Sequence, residues 1–348
     1  MTWLRWLLLA VPLSWALAAL HAPPLAVFVL TGLSVIPLAG EMGSATEALA
    51  ERSGPAVGGL LNASFGNAAE LIIAIVALRA GLLDLVKASL TGSILGNLLL
   101  ILGLSLLAGG LKRPTLTFNR TAAGMSGAML MLAVVGLVIP ALFASTHPTA
   151  SVETTIHLSE GVALVLGATY AAGLVFSLVT HRELFSPTEH PVPTSAPGSV
   201  GTAVAVLAGA TVLVAVQSEI LVHATEEVVT HLGVSESFLG LIVIPIIGNA
   251  AEHAAAVVVA RKGQTDLALT IALGSSTQVA LFVAPVLVLA GVLVGQPMHL
   301  VFTQFEVVAL ALSVLIVTVI ALDGESHWFE GVQLLAVYAI MVIAAWFV

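Results

Sequence analysis

Two carboxylates set in apolar sequence carry the chemistry of this chain. Glu70 ends the pentapeptide Gly66-Asn67-Ala68-Ala69-Glu70. Glu252 ends an identical one, Gly248-Asn249-Ala250-Ala251-Glu252, 182 residues further on (70 to 252). The first copy lies in an apolar run from Leu60 to Ala80, the second in a run from Phe238 to Ala260. An ionisable residue in the middle of such a run is costly to keep in hydrocarbon and marks a functional site. Within each copy Asn and Glu stand at i and i+3, on one helical face. Asn67 with Glu70 and Asn249 with Glu252 thus offer two carboxylates and two amide oxygens, the hard donors that Ca2+ prefers. The chain has no cysteine, and neither copy has paired histidines, which argues against a soft metal and excludes disulfides. Two carboxylates balance one divalent ion. Emptied of it they repel each other in a low-dielectric site, and protonation relieves the repulsion. One pair of groups, Glu70 and Glu252, therefore serves both cation binding and proton coupling, which is the physical minimum for an antiporter.

Further donors surround these pairs. Ser93 and Asn97, four residues apart and on one face, are matched later in the chain by Ser275, Thr277 and Gln278. The candidate cation ligands are thus Glu70, Glu252, Asn67, Asn249, Ser93, Ser275, Asn97 and Gln278. The competing reading for Ser, Asn and Gln is hydrogen-bond glue between membrane helices. Pro245, four residues before Asn249, frees a carbonyl on its helix, and Gly66, Gly248 and Gly58-Gly59 permit bends and close packing. Unwound carbonyls in broken helices are a usual source of ion ligands. Glu47, Glu226 and Glu227 fall near helix ends, as solvated charges or as a vestibule attracting cations. His253, next to Glu252, is either a proton partner or an ordinary polar contact. Asp323 and Glu325 are expected to be loop charges. No nucleophile–base pair, zinc pair or phosphate loop appears, so a membrane-embedded enzyme is not expected, and no cofactor is called for beyond Ca2+ as a transported substrate.

The elements that must position these residues are helices in a bilayer. Of the 348 residues 59% are hydrophobic and 8% charged, whereas a soluble domain is about a quarter charged. Segments of about 20 apolar residues, the length that crosses a bilayer, can be laid along nearly the whole chain. About eleven are expected: Trp6–Leu20, Leu25–Leu38, Val57–Leu78, Leu85–Leu107, Ala122–Phe143, Leu158–Val179, Val200–Val222, Phe238–Ala260, Leu267–Val294, Val301–Leu322 and Trp328–Val348. The first resembles a signal peptide, but His21-Ala22-Pro23-Pro24 makes a poor cleavage site and a retained helix is expected. With the N-terminus in the cytoplasm, Arg5, Arg52, Lys112, Arg113, Arg120, Arg182, Arg261 and Lys262 lie inside. Only Arg79 and Lys87 lie outside, as the positive-inside rule requires. An odd number of spans then leaves the C-terminus outside.

The duplication extends beyond the pentapeptide. Asp84 answers Asp266, and Gly92-Ser93 answers Gly274-Ser275, at the same spacing of 182 residues (84 to 266). Ala45-Thr46-Glu47 answers Ala224-Thr225-Glu226 at 179 (47 to 226), so a three-residue insertion reconciles the two offsets. The expected organisation is an N-terminal membrane helix, 1–22, a five-helix repeat over 25–180, a cytoplasmic connector over 181–199 and a second repeat over 200–348. The connector holds Pro187, Pro191, Pro193 and Pro197, as an extended linker does. Five crossings per repeat invert the second copy against the first, the plan of secondary transporters whose site lies near the midplane where the halves meet.

These stretches resemble the cation/proton exchangers of the calcium/cation antiporter superfamily. The resemblance rests on Asn62-Ala63-Ser64-Phe65-Gly66-Asn67-Ala68-Ala69-Glu70-Leu71-Ile72, on Pro245-Ile246-Ile247-Gly248-Asn249-Ala250-Ala251-Glu252-His253-Ala254, and on the companion helices around Gly92–Leu100 and Gly274–Phe282. It runs from about Leu25 to the end of the chain. It implies two inverted five-helix repeats, exchange of cytosolic Ca2+ for H+, central roles for Glu70 and Glu252, and Asn67, Asn249, Asn97 and Gln278 lining the pathway. The sodium-coupled branch usually adds an acidic residue on the companion helices. Here those positions are Asn97 and Gln278, favouring protons as counter-ion. Family members often carry an acidic helix in the connector; here its acids are Glu183 and Glu189 alone, amid prolines, a departure from that pattern. The expected function is a secondary-active Ca2+/H+ antiporter working by alternating access in a prokaryotic inner membrane. Its partners are Ca2+, protons and lipid, with no nucleic acid and with an oligomer left open. The alternatives are a Na+- or K+-coupled exchanger of Ca2+ or another divalent cation such as Mn2+, and, from a different class, a passive cation channel.

Overall fold

The computed structural model describes residues 2–185 and 199–347, and these are almost wholly helical. In lipid a backbone must satisfy its own polar groups within the segment, which the helix alone does for a single span. A 3-10 turn, Thr2–Leu9, leads into α1 (Ala10–Ala19) and then α2 (Pro24–Arg52). α3 (Pro55–Phe65) and α4 (Ala68–Arg79) follow. α5 (Leu83–Leu95) continues through a π-helical stretch, Gly96–Ile101, into α6 (Leu102–Gly110). After a short strand β1 (Leu116–Thr117) come α7 (Arg120–Thr146) and α8 (Val152–Val175), which ends in a π stretch, Phe176–Thr180. Beyond the connector stand α9 (Val200–Leu232), a single turn α10 (Glu236–Phe238), a π stretch Leu239–Val243 and α11 (Ile244–Arg261). α12 (Thr265–Gln278), a π stretch Val279–Val283 and α13 (Ala284–Leu293) form the next span. α14 (Gln304–Ile320), β2 (Glu325–Ser326) and α15 (Trp328–Trp346) complete the chain.

Among the described residues eight helices are long and apolar enough to cross a membrane, and a bent pair, Val57–Phe65 with Ala68–Arg79, makes a ninth. The expected count of about eleven is reached only if the two shorter apolar helices, Trp6–Ala19 and Gln304–Ile320, also cross. The expected boundaries differ most at α2 and α9, which run on past Leu38 and Val222 to Arg52 and Leu232. Both extensions are polar on one side, and hydropathy alone cannot follow a helix out of the apolar layer. Pro37 sits inside α2 without ending it. The proline-rich part of the connector, Pro187 to Pro197, lies outside the described residues. At its far flank Ser199 caps α9, its side chain accepting from Thr202 N.

Packing divides the chain into two compact units, each taking residues from before and after the connector. The first comprises the residues up to Ser89 and those from the connector to Ala251. Here α2 lies along α9, with α1, α3 and α4 against them. Val11, Leu38, Met42, Ala68, Ala69, Ala210 and Val214 share one apolar core. Buried Ser14 on α1 donates to Gln217 Oε1 on α9 at 3.1 Å, so α1 is bonded into this unit.

The second unit runs from Leu90 to the connector and from Glu252 to Phe347. α6 packs on α15, α7 on α14 and α12, and α8 on α13. α6 and α15 meet through glycines: a Cβ on Gly331 would stand 2.5 Å from Leu107 N, and one on Gly103 3.0 Å from Gly331 O. β1 pairs antiparallel with β2, Leu116 opposite Ser326 and Thr117 opposite Glu325. Asn119 ties three elements at that end. Its N–H donates to Asp266 in the first turn of α12, its Nδ2 donates to Leu184 O at 2.9 Å, and its Oδ1 caps α7.

Candidate cation site

The first pentapeptide sits where a helix breaks. α3 stops at Phe65, α4 starts at Ala68, and the axis turns by 41° between them. Asn67 leaves helical geometry at φ −104°, ψ 30°. A break of this kind leaves the last carbonyls of one helix and the first N–H groups of the next outside the helical ladder. Glu70 falls in the first turn of α4, where the helix dipole favours a negative charge. The second pentapeptide reaches the same place within this unit. A Cβ on Gly248 would stand 3.2 Å from Glu70 Oε1 and 3.3 Å from its Cγ, so the carboxylate is seated against a residue that has none.

Gly248 and Asn249 themselves lie in the unbroken α11. Asn249 is fully buried, and its Nδ2 donates to Pro245 O at 3.0 Å. The relief that a break supplies in the first copy comes in the second from the π stretch Leu239–Val243, just ahead of Pro245. A missing N–H at proline releases a carbonyl one turn upstream, within that stretch. The sequence allowed a bend at either glycine, Gly66 or Gly248. The structure bends only at the first.

In the second unit Glu252 Oε2 accepts the Ser275 hydroxyl at 2.6 Å. The Asn97 amide meets the His253 ring, Oδ1 to Nε2, at 3.2 Å, with both residues buried. Amide and ring orientations go together: if Nε2 carries the proton it donates to Oδ1, and if it does not, the amide turns to donate Nδ2–H to it. Ser93 is buried one turn before Asn97, and Gln278 closes α12 half-buried. The π stretches Gly96–Ile101 and Val279–Val283 coincide at the repeat spacing of 182 (97 to 279, 101 to 283). Such stretches are frequent at functional sites.

The candidate residues thus fall into two sets, Asn67, Glu70 and Asn249 in one unit and Glu252, Ser275, Asn97, Ser93 and Gln278 in the other. Among the described residues no group of three or more His, Asp or Glu side chains converges as a metal cluster. A cation at either set would therefore take amide, hydroxyl and backbone oxygens beside few carboxylates, as a hard ion tolerates. Glu226 and Glu227 each stand 3.8 Å from the exposed His223 ring on α9, and Glu47 is exposed on α2. One role was not assigned by sequence: Gly248 makes room for Glu70. His253, expected as a proton partner or a polar contact, makes a polar contact with Asn97. The repeat puts Leu71 where His253 stands, 182 residues earlier (71 to 253).

A family model described as sodium/calcium exchanger protein matches residues 23–179 and 202–347. A Ca(2+)/H(+) antiporter of Synechocystis sp. is 45% identical over 360 residues, covering 98% of this chain and 96% of that one. The Ca(2+)/H(+) antiporter ChaA of Bacillus subtilis is 46% identical over 339 residues, covering 96% of this chain and 95% of its own. The structure of native YfkE superposes with a TM-score of 0.87 at 41% identity, covering 99% of this chain and 100% of that chain.

Proposed function

The chain belongs to the sodium/calcium exchanger protein family, and from that premise we propose that it exchanges Ca2+ for protons across a membrane, using Glu70 and Glu252. The observation that carries this is the duplicated Asn–Glu pair, with Glu70 seated against Gly248 and Glu252 accepting the Ser275 hydroxyl. The relatives named for Ca2+/H+ antiport cover nearly the whole chain, which supports the same ions here.

The chemistry is competition for oxygen. The oxygen donors for Ca2+ are ionised Glu70 with the Asn67 and Asn249 amides in one unit, and ionised Glu252 with the Asn97 amide, Gln278 and the Ser93 and Ser275 hydroxyls in the other. Protonation removes the charge that the cation needs and returns neutral side chains that the membrane interior tolerates. Each protein conformation opens the site to one side, so a proton gradient directed inward drives Ca2+ outward. Asn97 and Gln278 are neutral, so no further carboxylate calls for Na+. The chain is organised as an N-terminal helix, 1–22, and inverted repeats over 25–180 and 200–348 joined by the connector 181–199. The recurrence of π stretches at the repeat spacing supports that division. The N-terminus lies in the cytoplasm of a prokaryotic cell and the C-terminus outside the inner membrane, in keeping with the distribution of Lys and Arg.

Proteoliposomes test this directly. Ca2+ uptake under an imposed pH gradient, without Na+ or K+, is expected to collapse with a protonophore and to be absent in Glu70→Gln and Glu252→Gln, both still folded. Uptake that begins only when Na+ or K+ is supplied would reassign the counter-ion. Uptake indifferent to every gradient but that of Ca2+ would identify a channel.

A further inference from the structure

We propose that the ends of α6 and α11 form a binding site for the phosphate of an anionic phospholipid headgroup. Lys112 and Arg113 follow α6, while Arg261 ends α11 and Lys262 follows it. Both ends belong to the second unit and are packed together. A Cβ on Gly109 would stand 3.1 Å from Ala260 O, and Gly263, at φ +94°, lies directly under the Arg113 guanidinium. A Cβ there would come within 2.6 Å of Nη2 and 2.9 Å of Cζ. The guanidinium is thus held in place by the bare turn after α11.

It is held without a counter-charge. Arg113 Nη1 is buried and meets no hydrogen-bond acceptor. Among the described residues none of Lys112, Arg113, Arg261 and Lys262 forms an ion pair with a carboxylate, whereas Arg79 pairs with Glu219 and Lys87 with Asp84. The nearby Asp266 accepts the backbone N–H of Asn119. Basic residues at a helix C-terminus favour the dipole and mark the cytoplasmic side. Neither role requires a guanidinium seated by packing with one nitrogen sealed and unpaired.

Position supplies the ligand. All four residues stand at the ends of membrane-crossing helices, which is the depth of lipid phosphates, and Leu111 beside them is 69% exposed. Four or more basic residues directly beyond a membrane helix make a site for anionic lipid. The Nε–Nη2 edge of Arg113 supplies the fork that matches two phosphate oxygens, and Lys supplies point charges around it. Because α11 carries Glu252, a lipid bound here braces the helix of the proposed transport site.

The test is thermal unfolding of the purified full chain in neutral detergent, titrated with phosphatidylglycerol, with phosphatidylcholine and with inorganic phosphate. Phosphatidylglycerol is expected to raise the midpoint saturably, and the other two are not. Arg113→Lys keeps the charge, and with it the membrane topology, but loses the fork. It is expected to weaken the phosphatidylglycerol response about fivefold, and Arg113→Gln with Lys262→Gln by about fivefold per cation removed. Arg79→Gln is expected to leave the titration unchanged. A response in Arg113→Lys equal to that of the unmodified chain would overturn the proposal, and this variant suffices if the double substitution does not fold. Inorganic phosphate matching the lipid would make the ligand a soluble anion and overturn the lipid assignment.

Discussion

Glu70 has space for its carboxylate only because residue 248 lacks a side chain. A methyl group at 3.2 Å from Oε1 forces the carboxylate or α11 to move by a few tenths of an ångström, and overpacking of this kind costs about 1–3 kcal/mol. Gly248→Ala is therefore expected to weaken apparent Ca2+ affinity in transport assays by about tenfold. An unchanged affinity would show that Glu70 does not use this seat. His253 makes a second residue-scale prediction. Losing its ring leaves the buried Asn97 amide short of a partner, at about 1–3 kcal/mol. His253→Leu, which restores the residue of the first repeat, is expected to raise the half-saturating Ca2+ about tenfold. His253→Gln, which can still bond Asn97, is expected to stay within about twofold. Equal losses in both variants would mean that the hydrogen bond is not what matters. The two carboxylates were legible in the sequence because each is a lone charge in an apolar run, and because the run occurs twice. The seat and the amide partner were not, since both depend on residues brought near only by packing.

Helices here are shaped by where they break and by how closely they approach. α3 and α4 part at Asn67, while π stretches interrupt the spans through α5–α6, α10–α11 and α12–α13. Hydropathy located those spans, because burial in lipid is read from composition alone. It could not show the π stretches, where the extra residue per turn is invisible to a 3.6-residue period. Close approach is concentrated on α6 and α15, whose glycines touch the opposing backbone. Gly331→Ala would put a methyl group 2.5 Å from Leu107 N, and backbone has little freedom to yield. A destabilisation of about 1–3 kcal/mol is expected, read as a lowered thermal midpoint. A methyl group added at Gly124 on α7 would meet nothing within 4 Å, so Gly124→Ala is expected to be neutral or to stabilise by up to about 1 kcal/mol. Equal midpoints for the two variants would remove the glycine contact as the basis of the α6–α15 packing.

Membrane sidedness is decided by the molecule as a whole. The pairing of Leu116 with Ser326 and Thr117 with Glu325 requires both strands on one side of the bilayer, so the crossings between them must be even in number. α7, α8, α9, α11 and the α12–α13 span leave that number odd, and α14, one of the two shorter apolar helices, makes it even. α14 is accordingly expected to cross. The chain has no cysteine, which makes single-cysteine labelling clean. Pro297→Cys and Glu325→Cys flank α14, and a membrane-impermeant maleimide is expected to reach them from opposite faces, Pro297→Cys from outside. Labelling of both from one face would place α14 along the surface.

Composition, the spacing of Asn and Glu, and the recurrence at 182 residues are properties of the chain itself, so the membrane class, the duplicated motif and the candidate carboxylates could be read without coordinates. These signals are local or compositional, and they survive in any packing. The fate of each pentapeptide is not of that kind. One sequence, Gly-Asn-Ala-Ala-Glu, breaks its helix in the first copy and continues it in the second, where the Asn249 side chain reaches Pro245 O. Identical residues cannot specify two backbone paths. The choice belongs to the surroundings, which here are Phe65 and the end of α3 on one side and Pro245 behind a π stretch on the other. Likewise only packing decided that Ser275 bonds Glu252, that His253 engages Asn97, and that Gly248 receives Glu70, because each joins residues far apart in sequence whose meeting is set by how helices press together.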